Sequence, residues 1–574
     1  ALLFIQLNVS SCFSGNTLKA LYDIYFIRLK HRAIDSVSLP SYFFIFSRLS
    51  TMCGIWATFG VDGGLSPVCL KCFSAIVHRG PDAWRIEQDA REPLTILGFQ
   101  RLAIVDGLYG MQPMRLHRYP RTTLICNGEI YNCKRLRDQY DFPYETNCDV
   151  EAIIHCYQNF GIAEAIKKLD GVFSFCLVDG EKRKIYIGRD PYGVRPLFRF
   201  HDPENGIFGI CSEAKGLIGL KQKASENSTL GQFPPGHFEV WDMLDGGKTK
   251  LDFTEQYYKP GTPPSFTPFV SDEELSKLNM YEKTAYLLEA ACKKRLMSER
   301  RIGCLLSGGL DSSLITALVV KLAREHKIPY KIQTFAIGMG DSPDLVAART
   351  VAEYLGTEHH EVQFDENDVK QSLDSVIYHL ESFDITTIRA SLPMYLLSRY
   401  IKENTDSTVI FSGEGADELA QGYIYFRDAP NETLGHDESI RLLSDIYLYD
   451  GLRADRTTSA FNPKLRQPQN GVEKHLLRTS FSKSGLLPDS ILWRHKEAFS
   501  DGVASVKKSL FTIIAEVIAE RLPEDNLSFR GLQPTTKEST YYRHVFEKSF
   551  PGQDNFTTNS GYFIFISTKH IFLL

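Results

Sequence analysis

The amino-acid sequence predicts a protein of two domains, an α+β layered sandwich followed by an α/β domain with a parallel sheet. Three observations carry this prediction. Short apolar strands alternate with turns and a few helices between Met52 and about Phe238. A proline-rich connector occupies Tyr258–Val270. Beyond it, strands and helices alternate, which is the pattern of a parallel sheet with crossover helices.

The predicted domain boundaries follow these changes in pattern. The residues before Met52 show no sustained hydrophobic periodicity, so we predict that they form a non-native or processed extension. The predicted segments are an extension at 1–52, a first domain at 53–240, a linker at 241–272, a second domain at 273–552 and a divergent tail at 553–574.

In the first domain, β-rich runs bounded by turn residues predict strands, and one longer apolar run predicts a helix. The strands are Leu124–Cys126, Phe173–Val178 and Lys184–Gly188, and the helix is Val150–Tyr157. In the second domain, periodicity alternates between helix and strand. The predicted elements are helix Leu275–Met297, strand Ile302–Leu306, helix Ser312–Arg324, strand Ile332–Ile337 and helix Asp344–Leu355, with mainly helix after Ser372 except for strand Thr408–Phe411.

Composition excludes several classes of function. A formal net charge of −5 over 574 residues provides no broad basic surface for a nucleic acid. No run approaches the ~18 apolar residues that a membrane-spanning helix needs. The 12 cysteines are too sparse for a disulfide scaffold, which predicts a reducing compartment, the cytosol. Cys69 and Cys72 lack a second pair at zinc-site spacing, so a buried helical pair is preferred to a metal site.

The first candidate site begins at Met52-Cys53. If the chain began at Cys53, its free α-amine, with a pKa of about 7.7 to 8.0, could accept the proton of the adjacent thiol. An internal amide nitrogen has no such basicity. We therefore predict that Cys53 is a nucleophile and that the functional chain starts there, by initiation at Met52 or by processing.

Further motifs follow Cys53 in a fixed order. They are His78-Arg79-Gly80-Pro81-Asp82, Arg101-Leu102-Ala103-Ile104-Val105-Asp106, Asn127-Gly128-Glu129 and Gly188-Arg189-Asp190. Together they resemble the glutaminase domain of N-terminal-nucleophile amidotransferases, which implies an αββα sandwich. The resemblance implies that residues 101–105 bind glutamine, with Arg101 on its α-carboxylate and with Glu129 and Asp149 on its α-ammonium. It also implies an oxyanion hole formed by Asn127 and the amide of Gly128.

The second candidate site follows the strand that ends at Leu306. Ser307-Gly308-Gly309-Leu310-Asp311-Ser312 places glycines and hydroxyls at a helix N-terminus, a geometry that binds anions. No Gly-Lys-Ser/Thr follows, so the loop is not a Walker A motif. Ser412-Gly413-Glu414-Gly415-Ala416-Asp417 follows another strand and should emerge at the same sheet edge. Asp311 and Asp417 are therefore candidate Mg²⁺ ligands.

The two motifs of this second site together resemble those of ATP pyrophosphatases, which are enzymes that form acyl adenylates. The resemblance implies that the nucleotide contacts Leu306, Ser307, Gly308, Gly309, Asp311, Ser312, Ile337, Ser412 and Gly413. It further implies that Glu414 assists formation of a β-aspartyl adenylate. Arg389 and Lys496 would stabilise the developing phosphate charge.

From Met52 to about Pro551 the chain resembles the animal type of glutamine-hydrolysing asparagine synthetase. This implies that glutamine, aspartate and MgATP give asparagine, glutamate, AMP and pyrophosphate, and a homodimer is compatible with it. About twenty residues that family members carry after the counterpart of Ala460 are absent here. Two alternatives stay open: an adenylating cyclase similar to β-lactam synthetase, and an inactive or regulatory isoform that lacks part of the synthetase core.

Overall fold

A computed structural model gives the fold. It describes residues 52–92, 94–260, 262–266, 268–420 and 472–495, together with shorter pieces at 422, 431, 433–434, 436–437, 440, 469, 502–504, 508–523, 527–530 and 533–553. The expected gap after Ala460, the predicted extension up to residue 51 and most of the tail lie outside these residues. No described helix is both long and apolar enough to span a bilayer.

The first domain contains two antiparallel sheets. One has the strand order β10-β8-β9-β1-β3-β2 and the other the order β12-β11-β7-β6-β5-β4. The strands are β1 (Gly54–Phe59), β2 (Ala83–Gln88), β3 (Thr95–Arg101), β4 (Met114–Leu116), β5 (Tyr119–Ile130), β6 (Gly171–Asp179), β7 (Lys184–Arg189), β8 (Phe198–Asp202), β9 (Ile207–Cys211), β10 (Thr229–Gln232), β11 (His237–Met243) and β12 (Thr249–Gln256).

Helices cover the outer face of each sheet. They are α1 (Pro67–Ser74), α2 (Cys133–Tyr140), α3 (Glu151–Lys168) and α4 (Ile218–Lys221). Residues such as Phe99 and Ile187 fill the space between the sheets. Side chains of α2 and α3 pack on the sheet of β5 and β6, and side chains of α1 and α4 pack on the sheet of β1 and β3. The four layers confirm the expected αββα sandwich.

The second domain contains a four-stranded parallel sheet with the order β15-β14-β13-β16. Its strands are β13 (Ile302–Leu305), β14 (Gln333–Gly338), β15 (Glu358–Gln363) and β16 (Val409–Phe411). The described helices are α5 (Asp272–Ser276), α6 (Met280–Lys294), α7 (Leu310–Glu325), α8 (Pro343–Leu355), α9 (Glu366–Leu380), α10 (Ile385–Asn404), α11 (Ala416–Ala420), α12 (His475–Phe481), α13 (Asp489–Leu492), α14 (Leu510–Arg521) and α15 (Lys537–Ser549). The parallel α/β domain and its largely helical later part are as expected.

Some local predictions were wrong. The helix expected at Leu275–Met297 is two helices, because Asn279 caps α6 with its side chain and so starts a new helix. Strand β15 was missed, because its sequence Glu-His-His-Glu-Val-Gln lacks an apolar run. The boundary placed at residue 240 falls inside β11, and the hairpin of β11 with β12 continues the sheet to Gln256.

Candidate active site

Cys53 lies at the start of β1, a central strand of its sheet, and its thiol is held by the chain that leaves β3. The sulfur donates to the carbonyl oxygen of Leu102 at 3.3 Å and lies 3.4 Å from the Leu102 amide nitrogen, which donates to it. The carbonyl of Cys53 accepts a 2.9 Å hydrogen bond from Nε of Arg79. The structure therefore brings the predicted nucleophile to the predicted glutamine-binding segment 101–105.

The surroundings of the Cys53 thiol favour its protonated form. Burial raises the pKa of Cys53 to about 12, and the negative charge of Glu129 adds to the increase, so the thiol is protonated at neutral pH. The Met52 amide donates to the carbonyl of Arg79 at 3.0 Å, so it is committed to a backbone hydrogen bond. That Cys53 needs a free amine for its reactivity stays a prediction.

A buried ion pair lies beside Cys53. Arg195 pairs with Glu129, and both side chains are almost completely excluded from solvent. Another nitrogen of Arg195 lies 3.3 Å from the sulfur of Met52, so the methionine side chain sits against this pair. The sequence analysis missed Arg195, although it follows the Gly188-Arg189-Asp190 motif closely and is positioned by Asp190, which accepts the Arg195 amide at 3.0 Å.

Asn127 and Gly128 lie near the end of β5, opposite Ser174 and Phe173 of β6. The side-chain nitrogen Nδ2 of Asn127 is buried and has no hydrogen-bond partner. Buried amide donors without a partner are rare, and such a donor is suited to an oxygen that gains charge during a reaction. A Cβ on Gly128 would lie 2.2 Å from the carbonyl oxygen of Val172, so no side chain fits there.

Asp149 lies immediately before α3 and is buried near Glu129. Its carboxylate accepts the Ile130 amide at 2.6 Å. Burial, followed by the charge of Glu129, raises the pKa of Asp149 to about 7. Two carboxyl groups that repel each other in a buried site are stabilised by an added cation, which is the property expected of an ammonium-binding site.

Arg101 organises the loop that follows it. Its guanidinium donates to the carbonyl oxygens of Asp106 at 2.5 Å and Gly107 at 3.1 Å. The same loop contacts the second domain, since the Gly107 amide donates to Glu299 at 3.3 Å and the Glu299 amide donates to Ile104 at 3.0 Å. Leu102 and Ile104 pack in the core of the second domain, with Val105 at its edge. The predicted glutamine-binding segment therefore belongs to the domain interface.

The second site is a loop between β13 and α7. The hydroxyls of Ser307 and Ser312 lie 3.0 Å apart, and the Ser307 amide donates to Ser312 at 3.2 Å. Gly308 has φ +73°, and a Cβ there would meet Ala347 of α8 at 2.5 Å. Glycine is therefore required twice over, by its backbone angle and by its close packing. The loop ends at the N-terminus of α7, which is a favourable position for an anion.

The Ser412-Gly413 turn packs directly on this loop. Strands β13 and β16 are parallel neighbours, so their carboxyl ends meet at one edge of the sheet. A Cβ on Gly413 would lie 2.5 Å from the backbone of Asp311 and Ser312. The Glu414 amide donates to the Ser412 hydroxyl at 3.2 Å. The two motifs that sequence analysis placed at a common edge are in contact.

Asp311 and Asp417 converge on a single cation, the ammonium of Lys474. Lys474 pairs with Asp311 and lies 2.5 Å from Asp417, and its side chain is buried. One oxygen of Asp311, Oδ1, is buried without a hydrogen-bond partner. Mg²⁺ prefers carboxylate oxygens, so the unpartnered Oδ1 of Asp311 is the atom that could take the ion while Lys474 stays in place. Lys474 was not predicted from the sequence as a site residue.

The other residues predicted to contact the nucleotide lie on β14, on α10 and next to β13. Leu306 donates its amide to Phe335 of β14 at 2.8 Å, and Ile337 is buried further along the same strand. Arg389, on α10, forms a bidentate pair with Glu538 of α15 at 2.8 and 2.5 Å. Lys496 lies outside the described residues.

Comparisons with known proteins agree with this two-site arrangement. A family model described as a glutamine amidotransferase domain matches residues 52–237, and one described as asparagine synthase matches residues 283–467 and 456–562. The chain is 48% identical over 537 residues to the asparagine synthetase (glutamine-hydrolysing) of Cricetulus griseus, an alignment that covers 88% of this chain and 95% of that one. The protein of the same name from Homo sapiens is also 48% identical, over 531 residues, and the alignment covers 88% of this chain and 94% of the human one. The protein from Gallus gallus is 48% identical over 538 residues, and the alignment covers 88% of this chain and 95% of that one.

Proposed function

The chain belongs to the family of glutamine-hydrolysing asparagine synthetases, and from this premise we propose that it makes asparagine from aspartate and ATP with nitrogen from glutamine. Glutamine is hydrolysed in the first domain, and aspartate is activated in the second. The observation that carries the proposal is that the chain holds two separate sets of reactive groups. The first domain has a thiol held by Leu102 and a buried, unpartnered amide at Asn127, and the second has a glycine-rich loop that carries one of two paired carboxylates.

In the first domain, the α-amine of Cys53 accepts the thiol proton, and the thiolate attacks the side-chain amide carbon of glutamine. Asn127 and the Gly128 amide stabilise the negative oxygen of the tetrahedral intermediate. Ammonia leaves with the transferred proton, and a thioester remains on Cys53. Water then hydrolyses the thioester to glutamate.

The substrate is held by charge complementarity. Glu129 and Asp149 bind the α-ammonium of glutamine, and Arg101 binds its α-carboxylate. Because Glu129 is already paired with Arg195, the α-ammonium of glutamine binds a carboxylate that also contacts the Arg195 guanidinium. The Met52 side chain contacts Arg195, and its removal opens this region of the site.

In the second domain, the side-chain carboxylate of aspartate attacks the α-phosphate of ATP, and pyrophosphate leaves. Ammonia then attacks the activated carbonyl and displaces AMP, which gives asparagine. Ser307, Gly308, Gly309 and Ser312 bind the phosphates through amides and hydroxyls at the start of α7. Mg²⁺, held by Asp311 and Asp417, would neutralise phosphate charge there. Glu414 assists formation of the adenylate, and Arg389 and Lys496 stabilise phosphate charge.

The proposal is tested with the chain begun at Met52, so that removal of this methionine exposes Cys53. Incubation with glutamine, aspartate and MgATP should give asparagine, glutamate, AMP and pyrophosphate in equal amounts when the two sites work together. Glutamate without asparagine would show an inactive second domain and would support the isoform that lacks part of the synthetase core. Turnover of neither substrate would contradict the proposed function.

A further inference from the structure

A buried network of charged side chains crosses the domain boundary next to the backbone of Cys53. On the second-domain side, Glu381 ends helix α9 in a left-handed conformation with φ 55°. Its carboxylate accepts two consecutive first-domain amides, those of Ala214 at 3.0 Å and Lys215 at 2.7 Å. One carboxylate thus fixes the start of the short 3₁₀ turn at Ala214–Gly216.

The network continues toward the nucleophile. The Lys215 ammonium lies 3.1 Å from Glu381 and 2.5 Å from Glu213. Glu213 pairs with Arg79 at 2.7 Å, and Nε of Arg79 donates to the carbonyl oxygen of Cys53 at 2.9 Å. Every step from Glu381 to the Cys53 backbone is therefore a direct polar contact.

Nearly complete burial makes this network rigid and costly to disturb. The side chains of Arg79, Glu213, Lys215 and Glu381 are each at most 3% exposed. Burial lowers the pKa of Lys215, but the charges of Glu213 and Glu381 outweigh it and raise that pKa overall. Buried ion pairs contribute little net stability relative to apolar packing. The main effect of this network is therefore to fix the orientation of the groups that it joins, including the backbone of Cys53. Removing one member leaves a buried charge without its partner.

Aromatic contacts hold the same end of α9 against the first domain. The ring of His379 lies 5.3 Å from that of His78, and the Tyr378 ring lies 5.3 Å from the Lys215 ammonium. His78 also pairs with Glu213 at 3.0 Å. Helix α9 packs on α10, the helix that carries Arg389. The end of α9 is therefore linked both to the first site and to the second domain's helical layer.

We infer that Glu381 is a positioning residue for glutamine hydrolysis, which acts across the domain boundary through Lys215, Glu213 and Arg79 to orient the backbone of Cys53. This inference rests on the proposed function. Glu381 reaches the backbone of Cys53 through three intervening side chains, those of Lys215, Glu213 and Arg79. Its replacement should therefore impair the chemical step and leave substrate binding unchanged.

The test compares E381Q with the parent chain, both begun at Met52. This substitution keeps the size of the side chain but removes the charge that pairs with Lys215. The kcat for glutamine hydrolysis should fall about tenfold or more, because a displacement of about 1 Å can cost roughly 100-fold in rate. The KM for glutamine should stay within about twofold, and asparagine synthesis from ammonium should be unchanged. The matched control E366Q alters an exposed glutamate at the other end of α9 and should have no effect.

Two further measurements keep the inference testable. The alkylation rate of Cys53 by iodoacetamide, followed by mass spectrometry, should fall in E381Q by a similar factor and requires no turnover. In the double variant E213Q/E381Q, the decrease in the alkylation rate and in kcat should be no larger than in E213Q alone, since both residues act through the same contacts. If E381Q does not fold, E381D keeps the charge, reaches only one of the two amides and should show a smaller loss.

An unchanged kcat and an unchanged alkylation rate in E381Q would overturn the inference, as would a raised KM with normal kcat. If the parent chain does not hydrolyse glutamine, the proposed function fails, and the alkylation rates alone then decide whether Glu381 positions Cys53.

Discussion

The reactivity of Cys53 depends on the group attached to its backbone nitrogen. In this chain the surroundings of the partly buried Cys53 raise its pKa to about 12, and the peptide bond to Met52 makes the adjacent nitrogen an amide without basicity. With a free terminus, the same residue carries both the nucleophile and its base. In the structure, Leu102 holds the thiol of Cys53 and Arg79 holds its carbonyl.

Replacing Asn127 by alanine tests the oxyanion hole. The unpartnered amide nitrogen of Asn127 would be lost, and the kcat for glutamine hydrolysis should fall about 100- to 1000-fold. The KM for glutamine should change little, because this donor acts on the transition state. A steady-state assay of glutamate release measures both quantities. A raised KM with unchanged kcat would assign Asn127 to substrate binding instead.

Asp149 predicts a pH dependence of glutamine binding. Its pKa of about 7 means that the carboxyl is increasingly protonated below pH 7, and a neutral carboxyl binds the α-ammonium poorly. Affinity should therefore fall about tenfold as the pH is lowered from 8 to 6. Calorimetry on the C53A variant measures binding without hydrolysis.

The variant D149N serves as the control for this titration. It should bind glutamine weakly at every pH and lose the dependence between pH 6 and 8. If the parent and D149N show the same pH profile, Asp149 is not the titrating group.

Lys474 should stabilise the second domain by neutralising Asp311 and Asp417. Replacing it with methionine leaves two partly exposed carboxylates without their cation and should cost about 1.5 to 3 kcal/mol of stability. Added Mg²⁺ should raise the melting temperature of K474M more than that of the parent, since the ion can take the vacated position. Equal shifts in calorimetric scans would show that the two carboxylates do not bind the ion.

Among elements, the strand-to-helix turns of the second domain were the most predictable from sequence. Ser307–Ser312 and Ser412–Asp417 combine glycines, hydroxyls and carboxylates directly after apolar strands, and the parallel sheet necessarily brings them to one edge. Strand β15 was not predictable, because it is a polar edge strand held by pairing with β14. The break before α6 depends on a cap at Asn279, whose signal was hidden within a continuous helical periodicity.

The turn at Gly308 can be tested by comparing two glycines in the same domain. Gly308→Ala introduces a Cβ that meets Ala347 at 2.5 Å in addition to strain at positive φ. Gly340 also has positive φ, but nothing lies within 4 Å of its Cβ position. Thermal unfolding should therefore show a small loss of about 1 kcal/mol for G340A and a loss of roughly 2 to 4 kcal/mol for G308A. Similar losses would mean that close packing at Gly308 is unimportant.

At the scale of the whole molecule, the interface between the two domains contains contacts that sequence patterns could not indicate. The loop after Arg101 packs in the second-domain core, Lys294 pairs with Asp170 at 3.0 Å, and Glu381 binds two first-domain amides. Contacts between residues separated by 66 positions, as for Arg195 and Glu129, or by 167, as for Glu381 and Ala214, leave no periodic signal along the chain. Arg195, Lys474 and Glu381 were missed as functional residues for this reason, whereas Cys53, Asn127 and Asp311 stand in recognisable motifs.

The most direct test of the account measures the fate of the glutamine amide nitrogen in two forms of the chain. One form begins at Cys53 and the other retains residues 1–52; each receives aspartate, MgATP and glutamine labelled with ¹⁵N in its amide. We predict that the form beginning at Cys53 transfers ¹⁵N into the side-chain amide of asparagine, and that the extended form does not consume glutamine. Normal consumption of glutamine by the extended form would contradict the account.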